Sequence, residues 1–402
     1  MSADPRRWPW WGQTLAVYAL ARAWSALVLL AVARHQVQTL WVPASPSYVQ
    51  YTGLMWDSGW YRDIAEHGYP PTLPTGPDGV VQQNPWAFFP LFPLLARGLI
   101  AVTGAPWALV APTLALVLGA AAVLLVHVAV REGAPRAVAA RPGLPLATAA
   151  VVASAPAAPV LQSAYTESLA LLLVAATLVG LLRRQYGLAA VTVLALGLTR
   201  AVALPMALVV VVHGLVRLRA ARRGADHLGR RDVLGLAALL VAAGASGVAW
   251  PLVTAAATGV PDAYLLTQAA WRGRPDVVPV LPWLDVARWL WGDALGPVLL
   301  LGLLAVAVAL ALSPPARRLG PELWAWCAGY GVYLVGVVEP GTSLVRFGLL
   351  AFPVAAVVVG AVRGPARARR IWLVLVLITC AALQVAWTWS LWRLIPPSGW
   401  PP

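Results

Sequence analysis

Of the 402 residues, 60% are hydrophobic and only 11% charged, against about 25% charged in soluble globular chains, so the composition leaves an integral membrane protein as the class. The formal charge of +14 arises from 29 basic residues, all arginine, against 15 acids; its distribution along the chain, set out below, removes nucleic acid as its explanation. Two cysteines in apolar segments, Cys327 and Cys380, exclude a disulfide framework or a cysteine-built zinc site.

Met1 to Trp11 is short and basic, with Arg6 and Arg7, and is expected on the cytoplasmic side. The apolar run from Gln13 to Ala33 is too long for a signal-peptide core and reads as a retained first span. Arg22 lies inside it at a cost of roughly 2.5–3.5 kcal/mol on insertion scales. Its side chain must therefore face protein or a wet cavity, and it reads as a buried structural ion rather than a ligand. Residues 35–105 form a first external loop. Within it, the stretch Trp56 to Tyr69 gathers Asp57, Asp63, Glu66, His67 and several aromatics, and Ser58–His67 is expected as a short interfacial helix. A turn-rich linker follows. The apolar run from Ala87 to Arg97 is then broken by Pro90 and Pro93, which predicts a re-entrant or interfacial helix over 88–103 rather than a span.

Further spans are predicted at about 107–130, 144–161, 166–182, 187–199, 201–217, 232–255, 295–312, 321–338, 344–362 and 371–392. Several fall short of the ~20 residues needed to cross alone, which fits broken helices around a cavity. A second external loop, 256–294, carries Gln268, Trp271 and an amphipathic stretch from Trp283 to Trp291. A third runs from Glu339 to Arg346. The segments left for the cytoplasmic side are 1–12, 131–143, 183–186, 218–231, 313–320 and 363–370 with their flanks. They hold 19 of the 29 arginines and five of the 15 acids, so they carry the whole net charge and the remainder is neutral, as the positive-inside rule requires. Counting 88–103 as a span would move the next basic loop outside and destroy that asymmetry. The expectation is an all-α polytopic membrane protein, 1–402 forming one transmembrane domain of eleven spans with its C-terminus outside.

Costly polar groups gathered on a membrane protein mark a functional site. Here they come from separate segments on the external side: Asp57, Glu66 and His67; Tyr165-Thr166-Glu167-Ser168; Thr199-Arg200; Gln268 and Trp271; and Arg346. Two boundary arginines suit a lipid phosphate, which a guanidinium meets bidentately. A carboxylate beside it can deprotonate an acceptor hydroxyl, and aromatics such as Trp56, Tyr61 and Trp271 can stack on a sugar. That combination describes glycosyl transfer from a lipid-phosphate sugar. Plainer readings stand beside it. Asp57 suits a helix N-cap, Glu66 can pair with Arg62 at i,i+4, and Glu167 complements a helix dipole. His67 suits a structural hydrogen bond, and Arg200 and Arg346 suit interfacial anchoring. Another lipid-linked donor sugar, such as arabinose or glucose, is one rival; a transporter of lipid-linked intermediates is the rival from another class, but no paired repeat is visible.

Ile64-Ala65-Glu66-His67-Gly68-Tyr69, preceded by Trp56-Asp57, resembles the first external loop of the eukaryotic GPI second-mannose transferases, the PIG-V family. Ala87 to Leu95 resembles that family's next motif, Ala164 to Leu169 its Tyr-Ser-Glu segment, and Thr199-Arg200 its later arginine motif. The matches keep their order and cover roughly the first half of the chain. The resemblance implies a GT-C membrane glycosyltransferase that inverts the anomeric centre, with a dolichyl- or polyprenyl-phosphate-mannose donor and neither cofactor nor catalytic metal. It assigns Asp57 as base, Arg200 to donor phosphate, and Trp56, Glu66, His67, Tyr165 and Glu167 to substrate; Arg346 for donor phosphate and Tyr61, Gln268 and Trp271 for substrate rest on the reading of the polar and aromatic groups above. Ala201 and Val202 replace the family's polar residues after the arginine, and the linker after His67 is long. The lysine-free, alanine- and arginine-rich composition suggests a bacterial gene. The implied setting is therefore a plasma membrane, with an extracytoplasmic site and a lipid- or cell-wall-linked glycan as acceptor. The implied partners are membrane lipids, donor and acceptor, without nucleic acid.

Overall fold

A computed structural model describes residues 8–338 and 340–395; Asp4, Arg6, Arg7 and Glu339 lie outside the described residues. Those residues are mostly helical, without a β-strand among them. In chain order the helices are α1 (Trp10–Ala33), α2 (Tyr48–Gly53), α3 (Asp57–His67), α4 (Leu91–Thr103), α5 (Trp107–Gly133), α6 (Pro135–Ala140), α7 (Leu144–Ser154), α8 (Glu167–Leu182) and α9 (Tyr186–Gly197). They continue with α10 (Pro205–Arg222), α11 (Arg230–Thr258), α12 (Ala263–Arg272), α13 (Leu281–Leu312), α14 (Pro321–Gly336), α15 (Leu344–Phe347), α16 (Pro353–Gly360) and α17 (Ala366–Trp387).

Five stretches are long and apolar enough to cross a membrane by length and composition: Trp10–Ala33, Trp107–Gly133, Arg230–Thr258, Leu281–Arg318 and Ala366–Trp392. The apolar face that α13 leaves open, including Leu299, Leu301, Leu303, Leu304 and Val306, is far larger than a water-soluble surface tolerates. The chain is a membrane protein.

The helices have two distinguishable ends. At one, α5 begins with Trp107, whose indole N–H donates to the Gly53 carbonyl at 2.8 Å, just before Asp57. At the other, the last carbonyl of α5, on Gly133, accepts from Gly320 N–H at 2.7 Å where α14 starts. A 27-residue α5 spans about 40 Å at 1.5 Å per residue. Both ends of α4 lie at the Asp57 end. Leu91 N–H bonds the Leu198 carbonyl beside Arg200, and Gly104, left-handed at φ 68°, stops the helix just before α5.

Two predicted continuous spans are broken. In place of 144–161 the chain forms α7, a turn at Ala155-Pro156-Ala157 and a 3₁₀ turn at Ala158–Gln162. Pro156 and Pro159 remove donors, and the Arg22 guanidinium, buried in the middle of α1, donates to the Ala158 and Ala153 carbonyls. The costly arginine thus satisfies backbone freed by the break, a structural use. In place of 344–362 there is α15, a 3₁₀ turn at Gly348–Ala351 and then α16, restarted at Pro353. Helix α13 joins the amphipathic stretch to the apolar one through a non-helical Gly292 (φ 80°).

Close approach of small residues packs α9 on α11. A Cβ at Gly197 would lie 2.5 Å from Ser246 Cβ and 2.7 Å from its carbonyl oxygen. Gly197→Ala is expected to destabilise the protein by about 1–3 kcal/mol, measurable as a lowered midpoint of thermal unfolding in detergent.

Candidate active site

Helix α3 presents two faces. Asp57, Tyr61, Ile64 and Ala65 follow the i, i+4, i+7, i+8 spacing of one helix side; Tyr61, Ile64 and Ala65 are buried. Trp56 precedes the helix at φ 58°, a conformation that costs a non-glycine residue of order 1–3 kcal/mol and persists only where surroundings impose it. Here its indole N–H donates to the Trp392 carbonyl at 2.6 Å, and its ring meets Trp41 with centroids 5.6 Å apart. The sharp turn makes Trp56 the N-cap and sets Asp57 at the first helical position. Its backbone N–H donates to Tyr165 Oη at 3.3 Å.

The Asp57 carboxylate instead meets Arg346, Oδ2 to Nη2 at 2.8 Å. Arg346, from α15, also donates through Nη1 to Glu167 Oε1 at 3.0 Å and through Nη2 to Ser343 Oγ at 3.1 Å. Arg200, in the turn between α9 and α10, donates through Nη1 to the same Glu167 oxygen at 2.6 Å and to Thr166 Oγ1 at 3.1 Å. Glu167, the first residue of α8, is fully buried. Both guanidinium carbons lie over the Phe347 ring, at 4.6 Å for Arg200 and 5.2 Å for Arg346, and Arg346 lies 5.1 Å over Tyr165. Tyr61 Oη meets Thr166 Oγ1 at 3.3 Å. Four segments far apart in sequence thus supply alternating carboxylates and guanidiniums, with the positive groups held side by side. Within this network Glu167 Oε2 and Arg346 Nε are buried without a hydrogen-bond partner in the protein.

An aromatic wall stands on the adjoining side of α3. Trp60 stacks on Phe88 at 5.8 Å, and Trp271 of α12 meets both edge-on, at 5.4 Å from Trp60 and 5.3 Å from Phe88. Asn84 Nδ2 donates to Thr267 Oγ1 at 3.2 Å, tying α12 to the segment ahead of α4. Gln268 lies half-buried on α12, about one turn before Trp271.

The structure therefore brings together Trp56, Asp57, Tyr61, Tyr165, Glu167, Arg200 and Arg346, with Trp271 and Gln268 nearby. It does not bring in Glu66 and His67. Both are exposed at the far end of α3; Glu66 faces Arg62 at 3.9 Å, and His67 Nδ1 lies 3.0 Å from Asp63 Oδ1. Such exposed pairs contribute about 0.3–0.5 kcal/mol, so His67→Ala should leave stability within that margin. A large loss of turnover in that variant would mean that substrate reaches this end of α3. Trp60, Phe88, Phe347 and Trp392 join the site without having been anticipated. Phe347 adjoins Arg346 in sequence, which could have flagged it; the Trp392 carbonyl carries no sequence signal. Among the described residues no group of three histidine, cysteine or carboxylate side chains is placed to hold a metal ion, and the group between Asp57 and Glu167 is a guanidinium.

No family model matches the chain, and no curated protein matches it. Solved structures do. The archaeal oligosaccharyltransferase AglB from Archaeoglobus fulgidus, in complex with an inhibitory peptide and a dolichol-phosphate, aligns with a TM-score of 0.51 at 15% identity over 98% of this chain and 57% of its own. The Archaeoglobus fulgidus oligosaccharyltransferase tethered with an acceptor peptide aligns at 0.46 and 16% identity, over 94% and 55%. Its complex with Zn and sulfate aligns at 0.47 and 16%, over 96% and 54%. The chain spans a little over half the length of these structures. At such identity the likeness concerns fold alone: the helical arrangement is similar to that of the archaeal oligosaccharyltransferase AglB.

Proposed function

We propose that the chain is an inverting membrane glycosyltransferase of the PIG-V-like GT-C type, which moves mannose from polyprenyl-phosphate-mannose to a lipid- or cell-wall-linked glycan. The observation that carries this reading is the single network in which half-buried Asp57 and Arg200 meet buried Glu167 and Arg346. A structural neighbour of similar fold was solved with a dolichol-phosphate, which makes a lipid phosphate a natural occupant for paired arginines. In this proposal the chain crosses the membrane eleven times as one domain. The arginine-rich ends face the cytoplasm and the Asp57 end faces away, with 35–105 and 256–294 as external loops.

Arg200 and Arg346, already held side by side by Glu167, take the donor phosphate. Turning toward it also gives the orphaned Arg346 Nε–H an acceptor; a buried donor costs about 1–3 kcal/mol while unpaired. The acceptor hydroxyl attacks the anomeric carbon from the side opposite the phosphate and forms the new C–O bond. Its proton passes to Asp57. The anomeric C–O bond to phosphate breaks, and polyprenyl phosphate leaves with the electron pair. Fixed positive charge aimed at the developing phosphate charge is the preorganised contribution expected to dominate. The Trp60, Phe88 and Trp271 wall, with Gln268, offers the sugar a stacking and hydrogen-bonding surface.

The test is donor discrimination in nanodiscs. Polyprenyl phosphates bearing mannose, glucose or arabinose are supplied with mannosylated lipid acceptors, with and without chelator. Transfer of mannose that is undiminished by chelator is expected. Transfer of another sugar in preference to mannose refutes the donor assignment, and chelator-abolished transfer refutes the metal-free mechanism.

A further inference from the structure

At the arginine-rich end, on the far side of the bundle from Asp57, lies a cavity of about 290 Å³. That is near the lower edge of ligand-sized pockets, about 300–1,000 Å³. Four arginines from separate places line it: Arg141 between α6 and α7, Arg318 in the 3₁₀ turn after α13, Arg363 in the loop after α16, and Arg369 in the first turn of α17. Among the described residues no carboxylate lines it. The described acids near this end are engaged elsewhere. Glu132 pairs with Arg131 and Arg183, Glu322 with His213, and Asp226 and Asp232 with Arg217.

The cavity is shaped rather than incidental. The Arg141 guanidinium is fixed by donating to the Val359 carbonyl and, at 3.5 Å, to the Arg369 carbonyl. Gly360 lets Pro315 close one wall, since a Cβ there would lie 3.3 Å from Pro315 Cβ. Gly364, at φ 130°, makes the turn behind Arg363. Burial, and then the positive charge of Arg369, hold the Arg141 guanidinium below its ordinary value, as expected of gathered cations without a counter-ion. A plain positive-inside signal requires only that arginines be near the membrane face. It does not require four of them around one cavity while other arginines at the same end are neutralised by carboxylates.

We propose that this cavity is a phosphate-binding site, occupied by the phosphate of an anionic lipid headgroup or by a free phosphate ion. Guanidiniums match phosphate oxygens in charge and in fork geometry. The site is independent of the transfer reaction assigned to the opposite end.

The test uses the full chain in phosphatidylcholine nanodiscs. Thermal unfolding is followed while phosphatidic acid is raised in the bilayer or, separately, inorganic phosphate in the buffer. The double variant Arg318→Gln/Arg363→Gln removes two exposed cavity arginines. Arg219→Gln/Arg222→Gln, on the exposed side of α10, removes the same charge away from the cavity. Saturable stabilisation of the wild type is expected, with half-saturation raised about tenfold or more in the cavity variant, since charge-assisted contacts are the strong ones, and unchanged in the α10 variant. Response to phosphatidic acid alone assigns a lipid headgroup; response to both assigns the phosphate group itself. Equal weakening in both variants, or no saturable response to either ligand, overturns the proposal.

Discussion

Asp57→Asn is expected to lower sugar transfer by about 10²–10⁴-fold, the usual contribution of a positioned general base, while donor binding and the fold persist. The substitution keeps size and leaves an oxygen that can still accept from Arg346, now 2.8 Å from the carboxylate. Arg346 also retains Glu167 and Ser343 as partners. What is lost is the ability to take a proton. If Asp57 were merely a cap, the variant would lose stability and keep its turnover; that reading is already weakened because the N-cap position is held by Trp56. Measuring turnover, donor affinity and unfolding midpoint on one preparation separates the two.

The largest effect on stability is expected at Glu167. One of its oxygens accepts from Arg200 at 2.6 Å and Arg346 at 3.0 Å, and the residue is fully buried. Glu167→Ala leaves two buried guanidiniums with Asp57 as the only carboxylate of the network. Removing one member of a buried ion pair destabilises by about 3–5 kcal/mol. Glu167→Gln keeps an acceptor and should fall between. Combining Glu167→Ala with Arg200→Ala should cost less than the sum of the single changes, because the second removes a charge that the first strands. Unfolding in detergent reads all four. A small loss in Glu167→Ala would mean that the network contributes little to the fold.

Much of this site was legible because charge is expensive in an apolar chain. Glu167, Arg200 and Arg346 stand out beside long apolar segments and Asp57 in a charged, aromatic-rich stretch after the first span, and the structure gathers all four. Their pairing was not legible: composition shows that a buried arginine needs a partner, not that Glu167 serves two. Glu66 and His67 lie away from the network for a geometric reason. Glu66 lies nine positions after Asp57, about two and a half helical turns, so the two project from opposite sides of α3. Tyr61, about one turn from Asp57, shares its side and meets Thr166. Hydropathy also ran together segments that the backbone divides, at Ala155–Ala157 and before Pro353. Pro156, Pro159 and Pro353 carried that information, whereas the Arg22 contact that stabilises the first break is a long-range event. The left-handed turn at Trp56, imposed by a carbonyl more than 300 residues away, has no local signature.

The most direct test of the central claim follows both products of one reaction. Purified protein in nanodiscs receives polyprenyl-phosphate-mannose labelled in the sugar, together with mannosylated lipid acceptors. Free polyprenyl phosphate, the labelled glycolipid and the anomeric configuration of the new bond are then measured. The account predicts equal amounts of the two products, inverted configuration, and loss of both in Asp57→Asn. Saturable donor uptake that moves the intact donor across the bilayer, with no glycosidic bond formed for any acceptor, would contradict it.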